Sequence, residues 1–429
     1  AVTSIGTSAF AGAGLVSVTL NDSLDSIPDN AFKNCLDLKE VVIPETVTAI
    51  GTSAFEGCAA LASINIPNGV STLGASAFSA SGLSAVTLGA GLSSIGEHVF
   101  SNCMGLESLT LPGTITTIDE TAFANCEALA ELTVAAGEGT LNLSAFCALP
   151  IATLHLERNV EGTPFAGSET LVSLSLGDVY TEVAEESYKN CTGLVEVTMP
   201  SVNAIGASAF EGCVALTTLD IESVTSIGAS AFAGTSLSSI TFNESLTAIS
   251  DSTFKGCSLT EVAIPAAVKT IGVSAFENCA TLASLTIGSG VESIGAAAFK
   301  GCALTSINSQ ATVPSVCATD CFEGVDTESC TLTVPAEAED SYRVVEVWKD
   351  FFEAESGIDE ILLNSMKVYC QNGYVILDQV VPGEQISIYT INGILIQKIQ
   401  VTDSHMQILL PSGNMYLIEY AGQTEKIVL

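Results

Sequence analysis

The chain has 429 residues, with 48 Asp and Glu against 12 Lys and Arg, and a formal net charge of −36. That balance repels phosphate backbones and anionic lipid, which excludes nucleic-acid binding and favours cations or basic partner surfaces. Mean hydropathy is positive, yet no run approaches the roughly 18 uninterrupted apolar residues of a membrane span, so the apolar content belongs to a packed interior.

The sequence opens at Ala1-Val2-Thr3-Ser4-Ile5-Gly6, in the middle of a repeat and without an apolar leader. The expectation is that a signal peptide or an earlier strand has been removed upstream. From Phe10 onward an aromatic recurs: Phe10, Phe32, Phe55, Phe78, Phe100, Phe123, Phe146, Phe165, Tyr188, Phe210, Phe232, Phe254, Phe276, Phe299 and Phe322. The steps are 22 or 23 residues, except for one of 19 between Phe146 and Phe165. The clearest copy, LTEVAIPAAVKTIGVSAFENC, starts at Leu259 and ends at Cys279. Leu259, Val262 and Ile264 point to one side of a short strand while Thr260, Glu261 and Ala263 point to the other, and Pro265 stops the run. Val268, Ile271 and Gly272 make a second apolar touch, and Ser274-Ala275-Phe276 leads into a helical or turn segment. One such unit cannot bury its own apolar face, whereas stacked neighbours bury a continuous core. The predicted fold over residues 1–335 is therefore a repeat solenoid of short parallel strands with turn or short helical segments.

The unit resembles the leucine-rich repeats of the BspA-like class, whose signature is close to L-x-x-L-x-I-P-x-x-V-x-x-I-G-x-x-A-F-x-x-C; the run from Leu259 to Cys279 reproduces nearly all of it. The resemblance covers roughly three-quarters of the chain. It implies a secreted or cell-surface protein of a bacterium or protozoan, often an adhesin, acting on host or neighbouring-cell proteins. It brings no catalytic residues and no cofactor.

Nine of the 14 cysteines, Cys35, Cys58, Cys103, Cys126, Cys191, Cys213, Cys257, Cys279 and Cys302, lie three residues after the rung aromatic, where other copies carry Ala13, Ser81 or Thr235. A slot that accepts Cys, Ala, Ser and Thr is small and buried, so free thiols are expected rather than a disulfide framework or a metal ladder. Cys317, Cys321 and Cys330 lie off that column, and one disulfide among them is an open alternative.

Between about residues 135 and 190 the register weakens, and Arg158 is the only Arg of the array. Irregular repeats mark bends or binding patches. The candidate patch is His155, Arg158 and Glu161, with simple drift of a tolerant array as the alternative. The other histidines, His98 and His405, fall on different columns, and pairs such as Asp119-Glu120 and Glu185-Glu186 read as solvated. No catalytic triad, metal-ligand spacing or phosphate-binding glycine loop is present in the sequence.

Residues 336–360 read as a helical cap and acidic linker. Val344, Trp348, Phe351 and Phe352 have the spacing of one helix face, placed to cover the open end of the solenoid. Residues 361–429 read as a small all-β sandwich: strand-like runs at 374–380, 385–391, 394–401 and 415–420 are punctuated by Asn372-Gly373, Pro382-Gly383, Asn392-Gly393 and Ser412-Gly413. The run Pro411-Ser412-Gly413-Asn414-Met415-Tyr416-Leu417-Ile418 and the ending Glu425-Lys426-Ile427-Val428-Leu429 resemble C-terminal sorting modules of Bacteroidetes secretion, although the Asn-Pro of that module is missing. A plain accessory domain is the alternative.

The outward strand positions of the array are hydroxyl-rich, as at Ser17, Thr19, Ser63, Thr87, Thr110 and Thr198, with Glu40, Glu131, Glu196, Asp220 and Glu261 interspersed and no aromatic. Such a ribbon suits summed weak contacts with basic partners more than sugar stacking. The expected function is adhesion or protein binding by a monomer without catalytic activity. A structural spacer and a glycan-binding accessory protein are the alternatives.

Overall fold

The computed structural model describes residues 4–352, 361–363, 366–371, 374–378, 380–411, 414–420 and 423–428. The predicted acidic linker at 353–360 and the turns at Asn372-Gly373 and Ser412-Gly413 lie outside the described residues.

A regular turn of the array carries two strands. In the clearest repeat these are Glu261–Ala263 and Thr270–Ile271. Leu259, Val262 and Ile264 are buried and Thr260, Glu261 and Ala263 exposed, as the alternation requires. Successive turns pair in parallel and in register, Glu261 opposite Ser284, Ser284 opposite Ser306 and Ser306 opposite Thr331. The second strands pair separately, Thr270 with Ser293 and Ser293 with Val316. Two faces of short parallel strands therefore enclose one apolar core, which runs without interruption from Leu24 to Phe351.

The third side of a regular turn, which holds the rung aromatic, is a tight turn rather than a helix, and only around Phe146 does it form a short 3-10 helix, Ser144–Phe146, among the described residues. Ser53, Phe55 and Gly57 donate their N–H groups to Ala75, Ala77 and Ser79 of the next coil at 2.7–2.9 Å, whereas Ala54, Glu56 and Cys58 donate back within their own coil. Every second donor thus leaves the local segment, which a continuous helix would not permit. The alternation needs left-handed backbone at Ser53 (φ 54°) and Gly57 (φ 72°), and the same two positions recur along the array as Ser208 with Gly212 and Ser274 with Asn278.

The rings stack between these turns. Centroid spacings run from 4.9 to 5.9 Å across the contacting neighbours. Phe165 stands apart, with no ring contact to Phe146 or Tyr188 among the described residues.

The segment read as a helical cap has a different geometry. Instead of one helix there is a single turn of α-helix at Glu339–Tyr342 and a 3-10 turn at Trp348–Phe351, separated by Val347 at φ 76°. Val344 consequently faces solvent, and Tyr342 takes the inward place. Trp348 meets Phe322 edge-on at 5.6 Å and donates its indole N–H to Ser315 O at 2.9 Å.

Beyond the linker, two four-stranded antiparallel sheets share a second core. Ile361–Leu363, Met366–Gln371, Tyr374–Asp378 and His405–Leu409 form one, and Gln385–Thr390, Leu395–Gln400, Met415–Tyr420 and Gln423–Val428 the other. Val375, Leu377 and Ile408 from the first meet Ile386, Ile388, Tyr416 and Ile418 from the second. The strand His405–Leu409 was not legible in the sequence, because its HMQIL alternation is short and follows no hairpin signal.

Candidate binding surface and the irregular turn

In a regular repeat the rung aromatic is preceded, eight positions earlier, by an apolar residue such as Val268 before Phe276 or Ile115 before Phe123. Before Phe146 that position is Glu138, and before Phe165 it is Glu157 in a connection that has lost three residues. Two oversized side chains make good the loss. Arg158 turns inward and is 2% exposed. Its guanidinium donates to the carbonyls of Ile115 at 2.7 Å, Gly113 at 3.3 Å and Glu138, and its Nε to that of Gly139 at 3.5 Å. Tyr180, which occupies the apolar position before Tyr188, is also buried, and its hydroxyl donates to the carbonyl of Arg158 at 2.6 Å.

The sequence-derived patch does not assemble as expected. Arg158 is buried and committed to backbone carbonyls, so it presents no charge to a partner; an inward guanidinium is stable here because each carbonyl it meets supplies part of the solvation it lost. His155 is half-buried on the strand Thr153–Leu156, between Thr133 and Ser175 of the neighbouring turns. Glu161 is exposed on Val160–Glu161, which belongs to a separate sheet, and its carboxylate is 3.5 Å from the Asn142 side-chain nitrogen.

Irregularity does create an opening beside them. Val160–Glu161 pairs only with Leu141–Asn142 and not with Glu182–Val183 of the following turn. A cleft of 350 Å³ lies there, walled by Val160, Pro164 and Phe165 on one side and by Tyr180, Val183 and Tyr188 on the other. A second, shallower opening of 560 Å³ lies on the first-strand face, where residues 217–221 and 238–242 form no paired strand. Val197, Leu219 and Ile240 are half-buried along its floor, and Glu196, Asp220 and Glu222 line it. Of the rungs in ring contact, those in this part of the array are the most widely spaced, Tyr188 to Phe210 at 5.7 Å and Phe210 to Phe232 at 5.9 Å. Phe242 fills a column held mostly by Ile or Leu, and meets Phe254 edge-on at 5.6 Å. That bulky residue was the one sequence signal for the break.

Over the rest of the array the strand face is an exposed ribbon of hydroxyls and carboxylates, at Ser17, Thr19, Glu40, Ser63, Thr87, Thr110, Thr198 and Glu261. Many basic side chains are tied to their own surface. Lys33 pairs with Glu56 at 2.8 Å, Lys189 with Glu211 at 3.2 Å, Lys255 with Glu277 at 2.8 Å and Lys300 with Glu323 at 2.7 Å, each joining one turn to the next.

The cysteine column is free and buried, and no disulfide links Cys317, Cys321 or Cys330. Each column thiol sits 3.0–3.3 Å from the rung carbonyl of the preceding turn, as Cys58 on Phe32 O and Cys279 on Phe254 O. Ser81 and Thr235 in the same slot donate instead to the carbonyl of their own rung, Phe78 and Phe232, three residues earlier. Burial pushes the thiols of Cys58, Cys126, Cys213 and Cys257 up to about 12 and those of Cys103 and Cys191 to about 11. Among the described residues no group of His, Cys, Asp and Glu is placed to hold a metal ion, and no helix is long and apolar enough to cross a membrane.

Solved structures of similar build include a leucine-rich repeat protein from Bacteroides ovatus, at 22% identity over 72% of this chain and 82% of that one, with a TM-score of 0.35. A leucine rich cell surface protein from Faecalibacterium prausnitzii is 22% identical over 69% of this chain and 88% of its own, with a TM-score of 0.31. The leucine rich repeat protein of T. pallidum is 22% identical over 47% and 78%, with a TM-score of 0.26. No curated protein matches the sequence. The family described as BspA type leucine rich repeat region matches in 6 copies, over residues 1–107, 50–163, 158–283 and 203–329. With its repeats matched over well more than half of its length, the chain belongs to the BspA type leucine-rich repeat family.

Proposed function

We propose that the chain is a non-catalytic surface or exported protein that binds protein partners along its repeat array. The observation that carries this reading is the strand face: turn after turn presents hydroxyls and carboxylates at a fixed spacing on a rigid, continuously packed body. A flat ribbon without protruding aromatics gives modest affinity per contact, which repetition on a cell surface multiplies. With a net charge of −36 and most of its array lysines engaged in ion pairs, the ribbon favours basic partner surfaces, and association weakens as salt rises, since exposed charges are screened beyond about 8 Å at physiological ionic strength. Membership of the family supports a surface location, and the C-terminal sandwich is the segment suited to sorting or anchoring.

The test is an array of host matrix and cell-surface proteins probed with the full chain and with residues 1–352 alone. Retained, salt-sensitive binding by the repeats supports the reading. Binding that disappears with residues 361–429 while the repeats stay folded moves the ligand site to the sandwich and leaves the array a spacer.

A further inference from the structure

We propose that the cleft between Phe165 and Tyr188 is an anchor site for a single aromatic side chain, an indole or a phenol, carried on a basic segment of a protein partner. The inference rests on the reading of the array as a protein-binding surface and assigns one contact within it.

Three independent features converge there. The first is space with the right walls. The cleft encloses 350 Å³ between Val160, Pro164 and Phe165 and the facing Tyr180, Val183 and Tyr188, which is at the lower end of the range of ligand pockets and accepts one bicyclic ring. It exists beside the shortened connection before Phe165, where the second-strand pairing stops at Val160–Glu161 and the ring of Phe165 has no stacked neighbour among the described residues.

The second is an unpartnered hydroxyl. Tyr188 is only 4% exposed and lines the cleft, yet its hydroxyl has no hydrogen-bond partner among the described residues. The other two deeply buried tyrosines of the array are satisfied: Tyr180 on Arg158 O, and Tyr342 between Ser309 Oγ and Ala311 O. Among the described residues no side-chain oxygen sealed from solvent lacks a partner, so this hydroxyl opens onto the cleft, where it is available to an entering group. An indole N–H or a phenol O–H entering the cleft supplies the missing partner, and an aliphatic side chain does not.

The third is charge. The strands that border the cleft end in Glu161 and Glu182, both exposed and on opposite sides of the opening. Lys or Arg flanking the inserted ring meets these carboxylates, while an acidic segment is repelled. Aromatic anchors in well-desolvated pockets dominate interface energetics, so the cleft gives the ribbon a point of register.

The experiment uses the full chain and a peptide, Lys-Lys-Trp-Lys-Lys, carrying 5-fluorotryptophan and observed by 19F NMR at low salt. Binding is expected with a shifted, broadened resonance, competed away by unlabelled peptide but not by Lys-Lys-Ala-Lys-Lys, and absent for Glu-Glu-Trp-Glu-Glu. Thr181→Trp, a substitution of an exposed rim residue that fills the opening, abolishes the shift. Tyr188→Phe weakens binding about five- to tenfold, the value of one hydrogen bond, with no loss of melting temperature, because the hydroxyl it removes has no protein partner. Equal competition by the Trp and Ala peptides, or unchanged binding in both variants, overturns the proposal. If the fluorinated peptide fails to bind while the repeats still capture a protein partner, the anchor is refuted and the adhesive reading stands.

Discussion

Tyr180 donates its hydroxyl proton to the carbonyl oxygen of Arg158 at 2.6 Å, while the side chain of Arg158 itself reaches back to carbonyls of the two preceding turns. The two residues form a relay: each fills a core position that the turn before it lacks, and the second holds the backbone of the first. A deletion of three residues and a Glu in an apolar slot are thereby absorbed without breaking the core, at the cost of the cleft that opens alongside.

Replacing Arg158 with Ala strands several buried carbonyls and empties the slot beside Glu138. The expected loss is on the order of 3 kcal/mol. Arg158→Lys recovers only part of it, because a single ammonium cannot span carbonyls on two turns as a planar fork does. Urea denaturation gives the magnitude, and hydrogen exchange at residues 113–115 and 138–141 gives the location. Native protection there in the Ala variant would refute the structural role.

The sequence exposed the solenoid because the same physics is repeated fifteen times, so the periodicity of Phe10 to Phe322 averages out local noise. Its irregular turn was visible as a place but not as a mechanism. That Arg158 points inward depends on carbonyls contributed by residues 43 to 45 positions earlier in the chain, and nothing in Glu157-Arg158-Asn159 announces them. The cap was misread as one helix for a related reason: Val344 and Trp348 have helical spacing, but the left-handed backbone at Val347 that lets Trp348 reach Ser315 O is set by tertiary contact. The cysteine column was legible as a small-residue slot, whereas the bond from each thiol to the rung carbonyl of the preceding turn spans 25 or 26 residues and has no local signal.

The buried thiols predict an alkaline limit to stability. A thiol whose folded value lies above its ordinary 9.0 contributes stability that is fully present below that value and is lost as pH rises toward the folded value. For Cys103 and Cys191 the window extends to about 11, and for Cys58, Cys126, Cys213 and Cys257 to about 12. Melting temperature should therefore fall steeply above pH 9, and an alkylating reagent at pH 8 should label the exposed Cys147 while sparing the column. Column thiols labelled at the rate of Cys147 in the native protein would contradict their burial.

Left-handed backbone at the rung turns gives a third expectation. Ser274 has φ 55° and donates its N–H to Ala296 O at 2.8 Å in the next coil. Ser274→Gly relieves the steric cost of that conformation and should leave stability unchanged or slightly raised. Ser274→Val adds a β-branched side chain where it is least tolerated and should cost about 1–3 kcal/mol. Thermal melts of the pair decide: equal melting temperatures would mean that the turn relaxes to another conformation.

The end of the array provides the last prediction. Phe322 is the final rung, and in place of another repeat it meets Trp348 at 5.6 Å and Phe351 at 5.3 Å, both edge-on, with Tyr342 packed on Trp348 at 5.3 Å. An edge-on ring closes a stack, since its rim presents positive edges to the face of Phe322 and leaves no parallel face for a further ring. Removing it exposes a core cross-section, and in a solenoid stability is transmitted only through neighbouring turns. Trp348→Ala should cost about 3–5 kcal/mol, felt as fraying that begins at the last turns and fades toward the middle. Hydrogen exchange should therefore show the largest loss of protection near Phe322, a smaller one near Phe276, and none near Phe123. Protection lost evenly from Phe123 to Phe322 would mean that the array unfolds as a single cooperative block and that the cap acts on the whole of it. Unchanged protection at Phe322 would show that Trp348 does not cap the stack at all.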